Sequence, residues 1–203
     1  SRGSWIMYAL VLLASGWRVL GRRKLLIVMA TGAVFGSLLA FGVSSQFQGR
    51  IARSAAVFSG DAHGLDVALS GRWSIWRAAA GMVAAHPVNG VGTRGFRDAY
   101  AHYAAPDDFW LSRGQPGALH AHQIVLEILS ETGAIGLGLW LMGAALAMRA
   151  WRWALPGARA RSRVPALALA VTAFPLNTSL AFYSNFWGGV FLLLLALFAG
   201  ALF

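Results

Sequence analysis

Cysteine is absent from the 203-residue chain, and charged residues are scarce. The lack of cysteine excludes disulfide bonds, thiol nucleophiles and Cys-ligated zinc. Charged residues make up only 12% of the chain and hydrophobic residues 58%, whereas a soluble domain carries about 25% charged residues. This balance argues against an ordinary soluble domain, a disordered chain and a coiled coil. Apolar composition of this kind is typical of helices embedded in lipid.

Acidic residues are also few: the chain has 7 acidic and 17 basic residues. Every basic residue except Lys24 is an arginine. The arginines form short clusters between apolar runs rather than one polar module, which argues against nucleic-acid binding. An arginine stays charged when partly desolvated and binds phosphate through two parallel hydrogen bonds. The charge pattern therefore indicates membrane topology, and the choice of arginine suits an anionic ligand.

Five apolar segments approach the roughly 20 residues that cross a bilayer as a helix. They are Ser4–Leu20, Leu25–Val43, His122–Ala150, Val164–Tyr183 and Phe186–Phe203. We expect an all-α polytopic membrane protein with about five transmembrane helices, the fourth kinked at Pro175. Two spans with a basic turn would occupy residues 1–43, a loop domain residues 44–121, and three spans residues 122–203. Because the chain starts without Met and ends inside an apolar run, we also expect it to be part of a longer membrane protein.

The short connections around the predicted spans set the orientation. Two of them carry nine basic residues and no acidic ones. These are Arg18, Arg22, Arg23 and Lys24 in the first, and Arg149, Arg152, Arg159, Arg161 and Arg163 in the second. By the positive-inside rule both are cytoplasmic, so residues 44–121 lie on the opposite side, the periplasm in a bacterium. Within this loop, Arg72–Ala85 predicts an amphipathic helix with Trp73, Trp76, Ala80 and Val83 near one face.

The segment from Gly90 to Gly95 matches the pattern G-x-G-x-x-G. No buried strand precedes it, so a dinucleotide site is rejected. Two interpretations stay open: a plain turn, or a loop whose backbone N–H groups approach a phosphate with help from Arg94. His120 and His122 lack a third ligand at a recognisable spacing, so we expect no metal and no cofactor.

His122 precedes the third span, and at 100° per residue Leu126, Leu129, Gly133 and Gly136 share its stripe. It is either an interfacial histidine or a titratable group above a groove. Glu127 and Glu131 are either an acid–base pair or structural carboxylates near a helix N-terminus. Several arginines lie on the side where topology does not need them, which favours an anionic ligand such as a lipid-linked diphosphate. They are Arg2, Arg72, Arg77, Arg94, Arg97 and Arg113.

Several residue strings together resemble the superfamily of bacterial O-antigen ligases and polymerases. The most specific is His122-Gln123 followed, after nine residues, by Gly133 and then Gly136. Weaker strings occur in the same order as in that family. They are Ser1-Arg2-Gly3, Gly71-Arg72-Trp73, His86-Pro87, Gly90-Val91-Gly92 and Phe96.

The resemblance implies a glycosyltransferase C-like membrane enzyme with a large periplasmic loop, located in the inner membrane with its active site facing the periplasm. Family ligases move a glycan from undecaprenyl diphosphate onto the lipid A–core of lipopolysaccharide, as metal-independent, inverting transferases. His122 is implied as the catalytic residue, with Arg2, Arg72, Arg94 and Gln123 binding substrate. Members have around a dozen spans, so about the N-terminal half of the protein would lie outside this chain.

Three other functions stay open. An O-antigen polymerase or a protein O-oligosaccharyltransferase differs only in the acceptor. A flippase for a lipid diphosphate would also need arginines, but these should continue through the midplane of the membrane. All arginines here lie near the predicted boundaries, which disfavours a translocation path.

Overall fold

The computed structural model describes residues 2–55, 58, 62–114, 117–174 and 182–203. Within these ranges it is helical, with nine α-helices, one short 3₁₀ helix and no strands. The α-helices are α1 Arg2–Leu20, α2 Arg22–Val43, α3 Ser45–Ala55, α4 Ala62–Leu69, α5 Arg72–Ala85, α6 Phe96–Tyr103, α7 Ile124–Trp153, α8 Pro156–Thr172 and α9 Asn185–Leu202. The 3₁₀ helix is Leu111–Arg113. The chain divides into two compact units, Ser1–Trp73 and Ser74–Phe203.

The first unit begins with a hairpin of α1 and α2 that turns at a single residue. Gly21 has a φ of 74°, a conformation that glycine adopts without a steric penalty. Gly16 on α1 leaves room for the buried side chain of Leu25 on α2. The next helix, α3, follows α2 after one residue, and its Gln48 side chain donates a 2.8 Å hydrogen bond to the carbonyl of Phe41. This bond satisfies a carbonyl near the end of α2.

The core of the second unit forms where α5 meets α6 and the segment that precedes α7. The predicted helix Arg72–Ala85 is confirmed in its bounds, and the face that it buries is a different one from the face that carries Trp73, Trp76, Ala80 and Val83. The buried side chains are Ser74, Ile75, Ala78, Ala79 and Met82. The four apolar ones pack against Phe96, Tyr100, Ala118 and Ala121. Small alanines allow this close approach, whereas Trp76 stays half-buried and donates a 3.1 Å hydrogen bond from its indole to the carbonyl of Ala121.

The described residues contain three helices long and apolar enough to cross a membrane, α2, α7 and α9. The predicted count of five spans is therefore not confirmed. Of the predicted fourth span, α8 covers the part up to Thr172, and Pro175 with its expected kink lies outside the described residues. The basic region between the third and fourth spans is not a loop, because α7 runs to Trp153 and α8 begins at Pro156. Its arginines lie on the ends of these two helices.

Candidate functional site at the start of α7

A break in α7 is the first unusual feature of this region. Gly133 has a φ of 64° and a ψ of −162°, so the helix is interrupted there and resumes afterwards. The residues that follow α5, which we call the glycine loop (residues 86–95), run along this interruption. Backbone hydrogen bonds join the two segments: Val91 N–H to Ser130 O (2.8 Å), Gly92 N–H to Glu131 O (2.9 Å), Ala134 N–H to Pro87 O (2.9 Å) and Ile135 N–H to Val88 O (3.2 Å). The loop thus satisfies backbone groups that the break in the helix leaves without helical partners.

Two glycines allow the backbones to approach this closely. A β-carbon on Gly133 would lie 2.3 Å from the carbonyl of Val88, and one on Gly90 would lie 2.3 Å from the carbonyl carbon of Glu131. Both glycines also have positive φ angles. Backbone packing between the glycine loop and α7 therefore explains why glycine occurs at position 90 of the G-x-G-x-x-G segment and at position 133 after His122-Gln123.

Glu131 joins the glycine loop to α7 through its side chain as well. This residue is 2% exposed, and its carboxylate accepts the backbone N–H groups of Arg94 and Phe96. Phe96 is the first residue of α6, so the carboxylate lies at the positive end of that helix. Glu131 therefore fills a position that a bound anion would otherwise take.

The backbone of the glycine loop is largely used within the protein. The N–H groups of Val91, Gly92 and Arg94 bond to α7, while those of Gly90 and Gly95 bond to carbonyls of the loop. Of the two interpretations of this segment, the structure supports the turn, since these N–H groups are not available to a phosphate. The exposed side chain of Arg94 remains the group that could bind one.

Glu127, one helical turn before Glu131, makes the equivalent contact on the side of α9. One carboxylate oxygen accepts the backbone N–H of Tyr183 at 3.2 Å. The Tyr183 hydroxyl in turn lies 2.9 Å from Oγ1 of Thr132. Ile128 and its neighbours pack against the same turn and against α9. The two glutamates thus tie α7 to two different elements, through contacts that the sequence did not predict.

His122 lies just before α7 rather than on it. Its φ of 53° is rare for a residue with a side chain, and the preceding residue, Ala121, is held by Trp76. Because His122 is not helical, the predicted stripe that joined it to residues of α7 is wrong. A non-glycine residue in this conformation persists only when its surroundings hold it there.

His120 is a close neighbour of His122. The two imidazole rings have centroids 3.9 Å apart. Burial, the nearby His122 and then Arg97 lower the pKa of His120 from 6.5 to about 4. Its Nε2 is buried, with no hydrogen-bond partner in the described part of the chain. His120 therefore stays neutral at neutral pH and adds no positive charge beside His122.

Gln123, predicted to bind substrate, caps α7. Its extended backbone precedes the helix, and its side-chain oxygen accepts the N–H of Leu126. This bond occupies one of the four N–H groups left open at a helix start. This bond gives Gln123 a structural role at the start of α7, and its predicted contact with substrate stays a prediction.

The three predicted arginines lie in different parts of the chain. Arg94 is exposed on the glycine loop, in the unit that contains His122. Arg72 begins α5 in the first unit and donates a 3.1 Å hydrogen bond to the carbonyl of Leu69. Arg2 begins α1, and its side chain lies outside the described part of the structure. The joint placement of Arg2 and Arg72 with His122 stays a prediction.

Arg97 belongs to this site, although the sequence placed it only among the arginines of the loop and gave it no role. It is exposed on α6, and its charge acts on both His120 and Glu131. Its position shortly after Arg94 is the signal that could have assigned it to the site. The described residues hold no cluster of three or more histidine and carboxylate side chains that could bind a metal ion.

A protein-family model described as O-antigen ligase matches residues 1–141. The chain belongs to the O-antigen ligase family. No curated protein and no solved structure matches it. Members of this family are glycosyltransferase-like enzymes with functions of the O-antigen ligase or polymerase type. The part of this chain that matches the O-antigen ligase family includes the glycine loop, His122, both glutamates and the break in α7.

Proposed function

We propose that this protein transfers an O-antigen glycan from undecaprenyl diphosphate to the lipid A–core of lipopolysaccharide. Membership of the O-antigen ligase family supports this. The observation on which it depends most is the position of His122, which has a φ of 53° and packs its ring against His120, a residue on which the charge of Arg97 also acts. An imidazole and guanidinium groups brought to one substrate would suit a reaction that removes one proton and releases one diphosphate.

In the proposed step, the acceptor hydroxyl oxygen attacks the anomeric carbon of the donor sugar. A new carbon–oxygen bond forms while the bond from that carbon to the diphosphate oxygen breaks, with inversion. His122 takes the hydroxyl proton, because imidazole is the side chain that most often acts as a general base in enzymes. Arg2, Arg72 and Arg94 stabilise the charge on the departing diphosphate, and Gln123 contacts substrate. No metal or other cofactor takes part.

The proposed location is the inner membrane, in a glycosyltransferase C-like arrangement. The basic ends of α7 and α8 would face the cytoplasm and the start of α7 the periplasm. The apolar helices α2, α7 and α9 support a membrane location. The lipid-linked donor would then present its diphosphate at the outer boundary of the bilayer, where α7 begins.

The test is glycan transfer by the complete protein in lipid nanodiscs, with undecaprenyl diphosphate-linked glycan and lipid A–core. His122→Ala should lower the rate by about 10²–10⁴-fold, the usual contribution of a general base. His102→Ala is the matched control, because His102 is exposed on α6 and its ring contacts Tyr103. A near-normal rate for His122→Ala would contradict the assigned role.

Two further arms identify the reaction more closely. EDTA should leave the rate unchanged, and a loss of activity in EDTA would contradict arginines standing in for a metal ion. Replacing lipid A–core with a lipid-linked glycan or a protein acceptor distinguishes a ligase from a polymerase or an O-oligosaccharyltransferase. Transfer only to one of the latter acceptors would overturn the assignment as a ligase.

A further inference from the structure

We propose that Glu131 is a positioning residue that acts through Arg94. The inference rests on the proposed function in one respect, namely that Arg94 binds a diphosphate. The carboxylate of Glu131 fixes the backbone of Arg94 and so determines where its guanidinium is presented.

The first observation is the backbone conformation of Arg94. Its φ of 61° is unfavourable for a residue with a side chain. The N–H of this same residue bonds to the Glu131 carboxylate, and the nearby Gly92 bonds to the Glu131 carbonyl. Glu131 therefore contacts the glycine loop on both sides of Thr93 and holds Arg94 in a conformation that the isolated loop would rarely adopt.

The second observation is the electrostatic setting. Glu131 is buried, and the charges of Arg94 and Arg97 act on it together with the N–H of Phe96. The carboxylate is thus held by contacts to the glycine loop and to α6. Through these contacts it fixes the position of the loop relative to α7.

The third observation is that Glu131 occupies the N–H groups that would otherwise attract an anion. An incoming diphosphate then meets the exposed guanidinium groups of Arg94 and Arg97 rather than the backbone. Binding of the diphosphate therefore depends on the backbone positions from which these two side chains extend. Glu131 fixes that position for Arg94.

The experiment is a double-mutant cycle on the complete protein in nanodiscs, with inorganic pyrophosphate as the probe and its Kd measured directly. Glu131→Ala should raise the Kd about tenfold when Arg94 is present. In the Arg94→Ala background, which itself binds more weakly, Glu131→Ala should change the Kd less than twofold. A tenfold coupling corresponds to about 1.4 kcal/mol. Glu131→Gln keeps an acceptor oxygen and should stay within threefold of the parent Kd.

Glu127→Ala is the matched control, because it removes the same side chain one turn away on α7 but frees Tyr183 instead of Arg94. Its effect on the Kd should be the same with and without Arg94. If Glu131→Ala does not fold, the same cycle with Glu131→Asp, which withdraws the carboxylate by one methylene, should show the coupling.

Three results would overturn the inference: equal effects of Glu131→Ala in both backgrounds, no effect of Glu131→Ala, or no pyrophosphate binding by the parent protein. Failure of the proposed function looks different. Pyrophosphate coupling without any glycan transfer would reject the transferase and leave the role of Glu131 intact. Transfer that needs His122 and Arg94, without coupling between Glu131 and Arg94, would reject only the inference.

Discussion

Replacing Gly133 with alanine tests the central structural feature, the packing of the glycine loop into the break of α7. The added β-carbon would lie 2.3 Å from the carbonyl of Val88 and 2.5 Å from the nitrogen of Asn89. Both neighbours are backbone atoms, so neither can rotate away. The φ of 64° and ψ of −162° belong to a region that only glycine adopts readily.

The cost follows from two contributions. Forcing alanine into this conformation costs about 1–3 kcal/mol. The added β-carbon also pushes the loop away, which weakens the backbone hydrogen bonds between the loop and α7 at about 0.5–1.5 kcal/mol each. We therefore expect a loss of about 4 kcal/mol in the free energy of unfolding, which corresponds to about 10 °C in Tm for a chain of this size.

The measurement is thermal unfolding of the complete protein in detergent, followed by tryptophan fluorescence. Gly138→Ala is the matched control, since Gly138 lies on the same helix and a β-carbon added there would meet no atom of the described residues within 4 Å. It should be neutral or slightly stabilising, because alanine is favoured over glycine in a helix by up to about 1 kcal/mol. If Gly133→Ala unfolds within about 2 °C of the parent (roughly 1 kcal/mol or less), the close approach of the two backbones is refuted.

Three further predictions concern single side chains. The pKa of His120 is about 4 in the folded protein and 6.5 in the unfolded chain. As pH falls from 6.5 toward 4, the unfolded chain therefore binds a proton at His120 and the folded protein does not, so the free energy of unfolding should fall over this window. The Tm of His120→Gln should depend less on pH there, and an equal pH dependence would contradict the burial of His120. Gln123→Ala should cost about 1 kcal/mol by denaturant titration because the Leu126 N–H loses its cap, and Gln123→Ser should restore most of it. Tyr100→Phe should cost about 1–3 kcal/mol, since the buried Asp108 loses a 2.8 Å hydrogen bond, and an unchanged Tm would count against that bond.

Features with a local signal could be predicted from the sequence. The apolar lengths of α2, α7 and α9 indicate membrane spans, and the turn chemistry of His86-Pro87 predicts the end of α5 at Ala85. The buried face of α5 could not be predicted in the same way, because apolar residues occur on every side of this helix. Which side is buried depends on α6 and on the segment before α7, which are distant in sequence.

The site was predicted less completely, since its geometry depends on contacts between distant residues. The stripe that joined His122 to α7 assumed a continuous helix, but the helix starts after it and breaks at Gly133. That break depends on the glycine loop, whose backbone supplies hydrogen bonds from a segment far earlier in the chain. Arg97 could be given no role for a similar reason, because its relation to His120 exists only once α6 is placed.

The structure gives a physical meaning to the spacing between His122-Gln123 and Gly133. Gln123 defines where α7 begins, and the start of the helix fixes the direction in which each later residue points. Glu127 and Glu131 are four residues apart and therefore share one side of α7, yet one bonds to the turn before α9 and the other to the glycine loop. Gly133 follows where the loop must enter the helix. The spacing thus fixes the positions of His122, of the carboxylates Glu127 and Glu131, and of the break at Gly133 relative to one another. Inserting or deleting one residue between them would rotate the residues that follow by about 100° around the helix axis.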